Sequence, residues 1–276
     1  MQITMSKHQG LGNDFFVYDI RQGLPFTSGD PDAQWATFAR NWCDRRFGIG
    51  ADGVLLLGRE GTNQLTMVLY NADGSRAEIS GNGIRCLVQA AYWQDQHNGA
   101  VTYVVNTDAG VRTVDVLEGS PTSNVAHISV GMGVVSDIAE PANWAALQCN
   151  PDRPVRHLSL GNPHSVVSVE DVADVNLQTL GELVPHVNLE IVAPGPEAHA
   201  ITMRVHERGS GITLACGSGA CASAVAAKAW GFVPASAPEV LVHMDGGDAR
   251  VRIDAATSEA TLIGPSVFIA NVVFDV

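Results

Sequence analysis

Two short segments carry the residues best placed for acid–base chemistry. Ala215-Cys216-Gly217-Ser218-Gly219-Ala220 sets a thiol at the entrance of a segment patterned as a helix, and Ser80-Gly81-Asn82-Gly83-Ile84 sets a hydroxyl at the entrance of another. Small residues after the entrance leave the first backbone N–H groups open, and a helix start carries roughly half a positive charge there. A thiol in that field is expected to have a lowered pKa and to act as a base. The same N–H groups can hold a carboxylate. A pair of such starts suits one reaction: a base removes the proton from an α-carbon on one face and an acid returns one on the other. Aimed N–H donors lower the energy of the carbanion without a cofactor. The plainer readings are a small buried cysteine in a tight turn and, for Ser80, a helix cap.

Two rival chemistries fit poorly. Gly217-Ser218-Gly219-Ala220-Cys221-Ala222 has the spacing of a dinucleotide-binding loop, but Glu239 precedes its apolar run instead of ending a strand, and the alternating strand–helix pattern is missing. Cys216 and Cys221 straddle a helix start with no Cys-x-x-Cys and no clustered histidines, so no metal is expected. Cys86 and Cys221 read as core, whereas Cys43 and Cys149 have no recognisable setting.

The elements that must position these groups are mostly strands. Branched and aromatic runs at 15–19, 54–57, 65–70, 101–105, 125–130, 165–169, 201–205, 239–243, 249–253 and 267–274 read as strands. Three helices are expected: one from Pro31, capped by Asp30, to about Arg46; one from Gly81 to about Gln96; and one from Gly217 to about Trp230. The last two begin alike and lie about half the chain apart, and Gly12-Asn13 is echoed by Gly161-Asn162. The expected fold is therefore α/β in the α+β sense, with two similar halves, each a mostly antiparallel sheet around one helix. Residues 1–126 with 266–276 form the half carrying Ser80, and 127–265 the half carrying Cys216. The stretch from about Asp137 to Pro154 reads as a peripheral connection.

The chain has 276 residues, 46% of them hydrophobic and 16% charged, which suits a compact globular protein. A formal charge of −13 disfavours nucleic acid and anionic membranes as partners. The start lacks a secretory pattern, and no apolar run is long enough to span a membrane. Five scattered cysteines fit a reducing compartment, so a cytoplasmic location is expected.

Six motifs in order carry a resemblance: Gly10-Leu11-Gly12-Asn13-Asp14-Phe15, Asn71-Ala72-Asp73-Gly74-Ser75, Gly81-Asn82-Gly83-Ile84-Arg85-Cys86, Gly161-Asn162-Pro163-His164, Glu207-Arg208-Gly209 and Ala215-Cys216-Gly217-Ser218-Gly219-Ala220. With them the chain resembles the diaminopimelate epimerase family over nearly its whole length. The resemblance implies that the two halves are pseudo-symmetric, barrel-like domains, each around a central helix. It implies interconversion of LL- and meso-diaminopimelate for lysine and cell-wall precursors, without pyridoxal phosphate, metal or other cofactor, by a homodimer. It implies substrate contacts at Asn13, Asn71, Asn162, Asn188, Glu207 and Arg208, a carboxylate held by the backbone at Gly81, Asn82, Gly217 and Ser218, and help to the catalytic pair from His164. A substrate with two ammonium and two carboxylate groups needs such amide, carboxylate and guanidinium partners.

Three positions depart from the family pattern. Ser80 stands where the family has its first catalytic cysteine. It is either an engineered replacement, a natural hydroxyl that returns the proton, or the mark of a chain that has left the parent reaction. Related enzymes of this fold act on other amino acids as racemases, epimerases or dehydratases, and an inactivated substrate-binding variant is the remaining alternative. Ile212 replaces a usual glutamate, and Gly53 a frequent glutamine. The expectation is that Cys216 still removes a proton from one stereoisomer while return at Ser80 is slow.

Overall fold

The computed structural model describes every residue except 1, 24, 27, 28 and 276. The chain divides into two compact units, Met1–Val130 with Pro265–Val276, and Gly131–Gly264. The first holds β1 (Gln2–Gly10), β2 (Asn13–Asp19), α1 (Pro31–Trp42), β3 (Gly53–Gly61), β4 (Gln64–Asn71), β5 (Arg76–Ala77), α2 (Gly81–Gln94), β6 (Val101–Thr107), β7 (Gly110–Glu118) and most of β8 (Val125–Val134). The second holds β9 (Ser136–Asp137), β10 (Val155–Ser159), β11 (Pro163–Ser168), α3 (Leu177–Leu183), β12 (Asn188–Pro194), β13 (Ala200–Glu207), β14 (Gly211–Thr213), α4 (Gly217–Trp230), β15 (Val240–Met244) and β16 (Gly247–Ile253). Strand β17 (Glu259–Asp275) contributes residues to both.

The two units repeat one plan. In the first, β1–β2 is antiparallel, β2–β3 parallel, β3–β4 antiparallel, β4–β6 parallel, and β6–β7 and β7–β8 antiparallel. In the second, β10–β11, β11–β12, β12–β13, β13–β15, β15–β16 and β16–β17 follow the same succession. Each unit is thus a mostly antiparallel sheet with two parallel joints, and the strands outweigh the helices, as expected of the α+β class.

One helix lies inside each sheet. Every residue of α2 from Gly81 to Tyr92 is buried, and the helix packs on β1, β2, β3 and β7. Burial on all sides explains its sequence, which lacks a broad polar face. Helix α4 packs on β10, β11, β12, β13, β15 and β16. Its buried face is built from Ala220, Ala222, Ala224, Ala226 and Ala227, small enough for the strands to close around it.

The outer helix α1 ends four residues before the expected Arg46, for a local reason. The Asp44 carboxylate accepts hydrogen bonds from the N–H groups of Arg46 and Phe47, each at 2.7 Å, and so offers the backbone a turn in place of another helical one. The Ile49 and Gly50 N–H groups then cap the Trp42 carbonyl, and Ala51 caps Cys43. Asp30 caps the other end, accepting from the Asp32 N–H. Helix α2 stops at Gln94, short of the expected Gln96.

Strands β1, β5, β7, β9, β10, β12 and β14 and the short helix α3 escaped the sequence reading, and Val169 and Glu239, expected within strands, fall just outside the observed ones. The 137–154 connection is less peripheral than expected. Trp144 is buried against the apolar cluster of Leu177, Leu189 and Ile191, with Cys149 packed beside it. Cys43, Cys86 and Cys221 are all buried, and Cys43 joins the cluster formed by Trp35, Phe38 and Phe274.

A buried polar knot ties β1 to α2. His8 Nδ1 lies 2.9 Å from Gln89 Oε1, and the Ser266 hydroxyl donates to the same oxygen at 2.7 Å. His8 Nε2 is buried with no hydrogen-bond partner among the described residues. Burial pushes the His8 pKa down to about 4, against a smaller upward pull from Gln89. The folded protein therefore refuses a proton that the unfolded chain accepts near pH 6.5. Stability contributed by this site is intact above that pH and falls as pH drops from about 6.5 to about 4, by about 3 kcal/mol at most. Urea titrations at pH 7.5, 5.5 and 4.5 should show this loss, with a shallower pH slope in His8→Gln.

Candidate functional site

The residues singled out in the sequence fall into two sets, one in each unit. In the first, Ser80 caps α2: its Oγ accepts the Gly83 N–H at 3.0 Å. Its backbone is extended, as an N-cap requires. The plain reading of Ser80 as a cap therefore holds.

Asn13 and Asn82 belong to one hydrogen-bonded chain. The buried Arg85 guanidinium donates to Asn82 Oδ1 at 2.8 Å, Asn82 Nδ2 donates to Asn13 Oδ1 at 2.8 Å, and Asn13 Nδ2 donates to Asp52 Oδ2 at 2.8 Å. Its ends fix the direction of both amides, because a guanidinium only donates and a carboxylate accepts. Arg45 binds Asp52 at 2.8 Å and Asp14 at 2.6 Å, and Lys7 binds Asp14 at 2.8 Å. Burial alone would raise the Asp14 pKa, but Arg45 and Lys7 prevail and hold it below the usual range. Sequence reasoning missed Asp14, Arg45 and Asp52, which brace the α2 start.

Asn71 ends β4 and closes a tight turn. Its N–H bonds the Ser75 carbonyl, and its Nδ2 donates to Ser75 Oγ at 3.0 Å. Gly74 in that turn has φ +82°, and a Cβ there would sit 2.6 Å from the Ala36 carbonyl oxygen, so only glycine fits. Gly53 is similarly confined, since a Cβ there would meet the Tyr70 carbonyl oxygen at 2.5 Å. A glutamine at this position would require β3 and β4 to shift.

The second unit gathers Asn162, His164, Asn188, Glu207, Arg208, Cys216, Gly217 and Ser218 around the start of α4. Cys216 is the N-cap residue but makes no side-chain cap bond. Its Sγ lies 3.6 Å from Ser218 Oγ, and Ser218 Oγ accepts from Asn162 Nδ2 at 3.3 Å. His164 Nε2 is 3.1 Å from Asn162 Oδ1, and His164 Nδ1 is 2.6 Å from Glu190 Oε1. His164 and Glu190 are both fully buried. Asn188 is a brace: it donates to the Pro163 carbonyl and accepts from the Arg208 N–H. Glu207 accepts from the Thr213 hydroxyl on β14. Ile212, beside Thr213, points partly into solvent. The Arg208 side chain is exposed and makes no ion pair among the described residues, which leaves it available to an anion.

The thiol corrects one expectation. The field of the helix start was to lower the Cys216 pKa, and the structure raises it well above the ordinary thiol value. Burial is the largest cause, followed by the negative charges of Glu207 and Glu190. The Gly219 N–H and the Ser218 hydroxyl pull the other way and are outweighed. Cys216 is therefore a thiol at neutral pH, an acid rather than a base.

Glu190, Thr213 and the braces around Asp52 are the site features that sequence reasoning missed. An acid inside the apolar run Val187–Ala193 was the available signal for Glu190. Among the described residues no group of three or more His, Cys, Asp or Glu side chains is arranged to hold a metal ion. Among the described residues no helix is long and apolar enough to cross a membrane.

Comparison with known proteins identifies the family. The family model described as diaminopimelate epimerase matches residues 5–137 and 157–269. The diaminopimelate epimerase of Thermosynechococcus vestitus is 36% identical over 291 residues, covering 97% of each chain. That of Synechocystis sp. is 36% identical over 288 residues, covering 96% of each. Among solved structures, a Pseudomonas aeruginosa protein described as a predicted epimerase superposes with a TM-score of 0.73 at 13% identity, covering 99% of each chain. A hydroxyproline epimerase from Agrobacterium vitis gives 0.67 at 14% identity, covering 99% of this chain and 91% of the other. The two structures establish the fold, and the sequence relatives establish more: this chain belongs to the diaminopimelate epimerase family.

Proposed function

We propose that the chain is an isomerase that interconverts LL- and meso-diaminopimelate, in lysine and cell-wall precursor synthesis, by taking a proton from the α-carbon and returning one. In this reading it acts in the cytoplasm as a homodimer and needs no cofactor. The observation that carries it is the Cys216 thiol at a glycine-framed helix start, with Glu207 and Arg208 on the adjoining strand end. Open N–H groups at Gly217 and Ser218 suit the carboxylate of the reacting carbon. Glu207 suits an ammonium and Arg208 a carboxylate.

Such a substrate also arms the thiol. An ammonium beside Glu207 offsets one of the charges that keep Cys216 protonated, so binding favours the thiolate. Cys216 releases its own proton to solvent as the substrate binds, the thiolate then takes the α-proton, and Ser80 stands where a second thiol would return one. A serine hydroxyl is a far weaker acid than a thiol, so return is the slow step.

Chiral chromatography tests this reading. Incubation with LL-diaminopimelate should yield the meso isomer, while proline and hydroxyproline remain unchanged. Inversion of either cyclic amino acid, with diaminopimelate untouched by both the wild type and Ser80→Cys, would reassign the substrate.

A further inference from the structure

The repeated plan of the two units matches register positions near each helix start. In the first, β2 pairs with β3 so that Phe15 faces Gly53; in the second, β11 pairs with β12 so that His164 faces Asn188. Leu55 lies two residues beyond Gly53, and Glu190 two beyond Asn188. The helix starts agree with this register. A Cβ on Gly83 would meet Ser80 Cβ at 3.1 Å, Ser80 Oγ at 3.3 Å and Leu55 Cδ2 at 3.5 Å. A Cβ on Gly219 would meet Glu190 Oε1 at 2.7 Å and Cys216 Cβ and Sγ at 3.3 Å each. Phe15 and Leu55 thus hold the places of His164 and Glu190. One half carries two apolar side chains at these register positions, Leu55 beside its helix start; the other carries a buried acid–imidazole pair.

We infer that Glu190 is a positioning residue for the proposed reaction: its carboxylate holds His164, and through Asn162 and Ser218 the Cys216 side chain.

Burying that pair in place of a leucine and a phenylalanine is costly. Glu190 Oε1 engages His164, while Oε2 has no hydrogen-bond partner among the described residues. The groups facing Glu190 are His164 on β11, Glu207 on β13 and Cys216 on α4. Gly219 is required for the close approach, because any side chain there would strike the carboxylate. From Oε1 the contacts run through His164, Asn162 and Ser218 to the thiol. The charge of Glu190 also helps keep that thiol protonated.

The inference rests on the proposed epimerase reading, but its test has a readout that needs no substrate. Cys216 alkylation by iodoacetamide is followed against pH and read at the Cys216 peptide by mass spectrometry, since the other four cysteines are also free. Glu190→Gln should move the alkylation profile to lower pH by about one unit. It should also lower kcat for diaminopimelate about tenfold with KM little changed, and Glu190→Asp should restore part of kcat. The double variant His164→Phe/Glu190→Leu copies the Phe15 and Leu55 pair of the first unit and should unfold cooperatively, show the same alkylation shift and lose turnover. It decides the matter if Glu190→Gln fails to fold. A wild-type alkylation profile in a folded variant would overturn the inference, whatever the substrate proves to be. An alkylation shift without turnover of diaminopimelate by the wild type would leave the coupling of Glu190 to the thiol standing and remove the substrate assignment, and with it the positioning role in that reaction.

Discussion

Ser80→Cys should raise the rate of diaminopimelate inversion by about 100-fold or more, because it replaces a hydroxyl that barely ionises with a thiol able to give a proton at neutral pH. The local structure accepts the change. The second unit carries cysteine at the matching position, Cys216, as an N-cap residue without a side-chain cap bond. What is lost is the bond from the Gly83 N–H to Ser80 Oγ, a cost of about 1 kcal/mol in helix stability. Steady-state inversion kinetics and a thermal unfolding curve read both effects. A gain in rate with a small drop in melting temperature is expected. An unchanged rate would mean that proton return at position 80 is not the slow step.

Cys216→Ala should act in the opposite sense and more severely. It removes the group assigned to take the α-proton, and general acid–base groups contribute about 10²–10⁴-fold to rate. Inversion should fall by about 1,000-fold, while diaminopimelate binding, followed by calorimetry, changes little because Glu207, Arg208 and the backbone N–H groups remain. Cys216→Ser is the informative companion. It keeps a hydroxyl of nearly the same size and should be almost as inactive, since the chemistry depends on the thiol's acidity rather than its shape.

The helix starts were legible because their signals are local. Glycines after Ser80 and Cys216 mark them without reference to the rest of the chain, as Pro31 after Asp30 marks α1. The repeat was legible for the same reason, through the matched starts and the matched Gly-Asn pairs. Buried polar residues hid several strands. His8 in β1 and Glu190 in β12 interrupt the apolar patterns that identify a strand, and each is accommodated by a partner distant in sequence, Gln89 or His164. The sign of the Cys216 shift was hidden in the same way. The helix start, which is local, lowers the pKa; burial and the carboxylates of Glu207 and Glu190, which only the tertiary fold brings near, raise it more. Asn71, Asn82 and Asn188, expected as substrate contacts, each have an internal brace in the structure that only the tertiary fold reveals.

Solvent deuterium uptake at the α-carbon tests the central claim most directly. LL- and meso-diaminopimelate are incubated separately in deuterated water with the wild type and with Cys216→Ala, and both deuterium content and isomer composition are followed by NMR. The account predicts that the wild type exchanges one isomer readily, with slower inversion, and that Cys216→Ala exchanges neither. Equal exchange by the wild type and Cys216→Ala would contradict it, because the proton would then be leaving to a group other than Cys216.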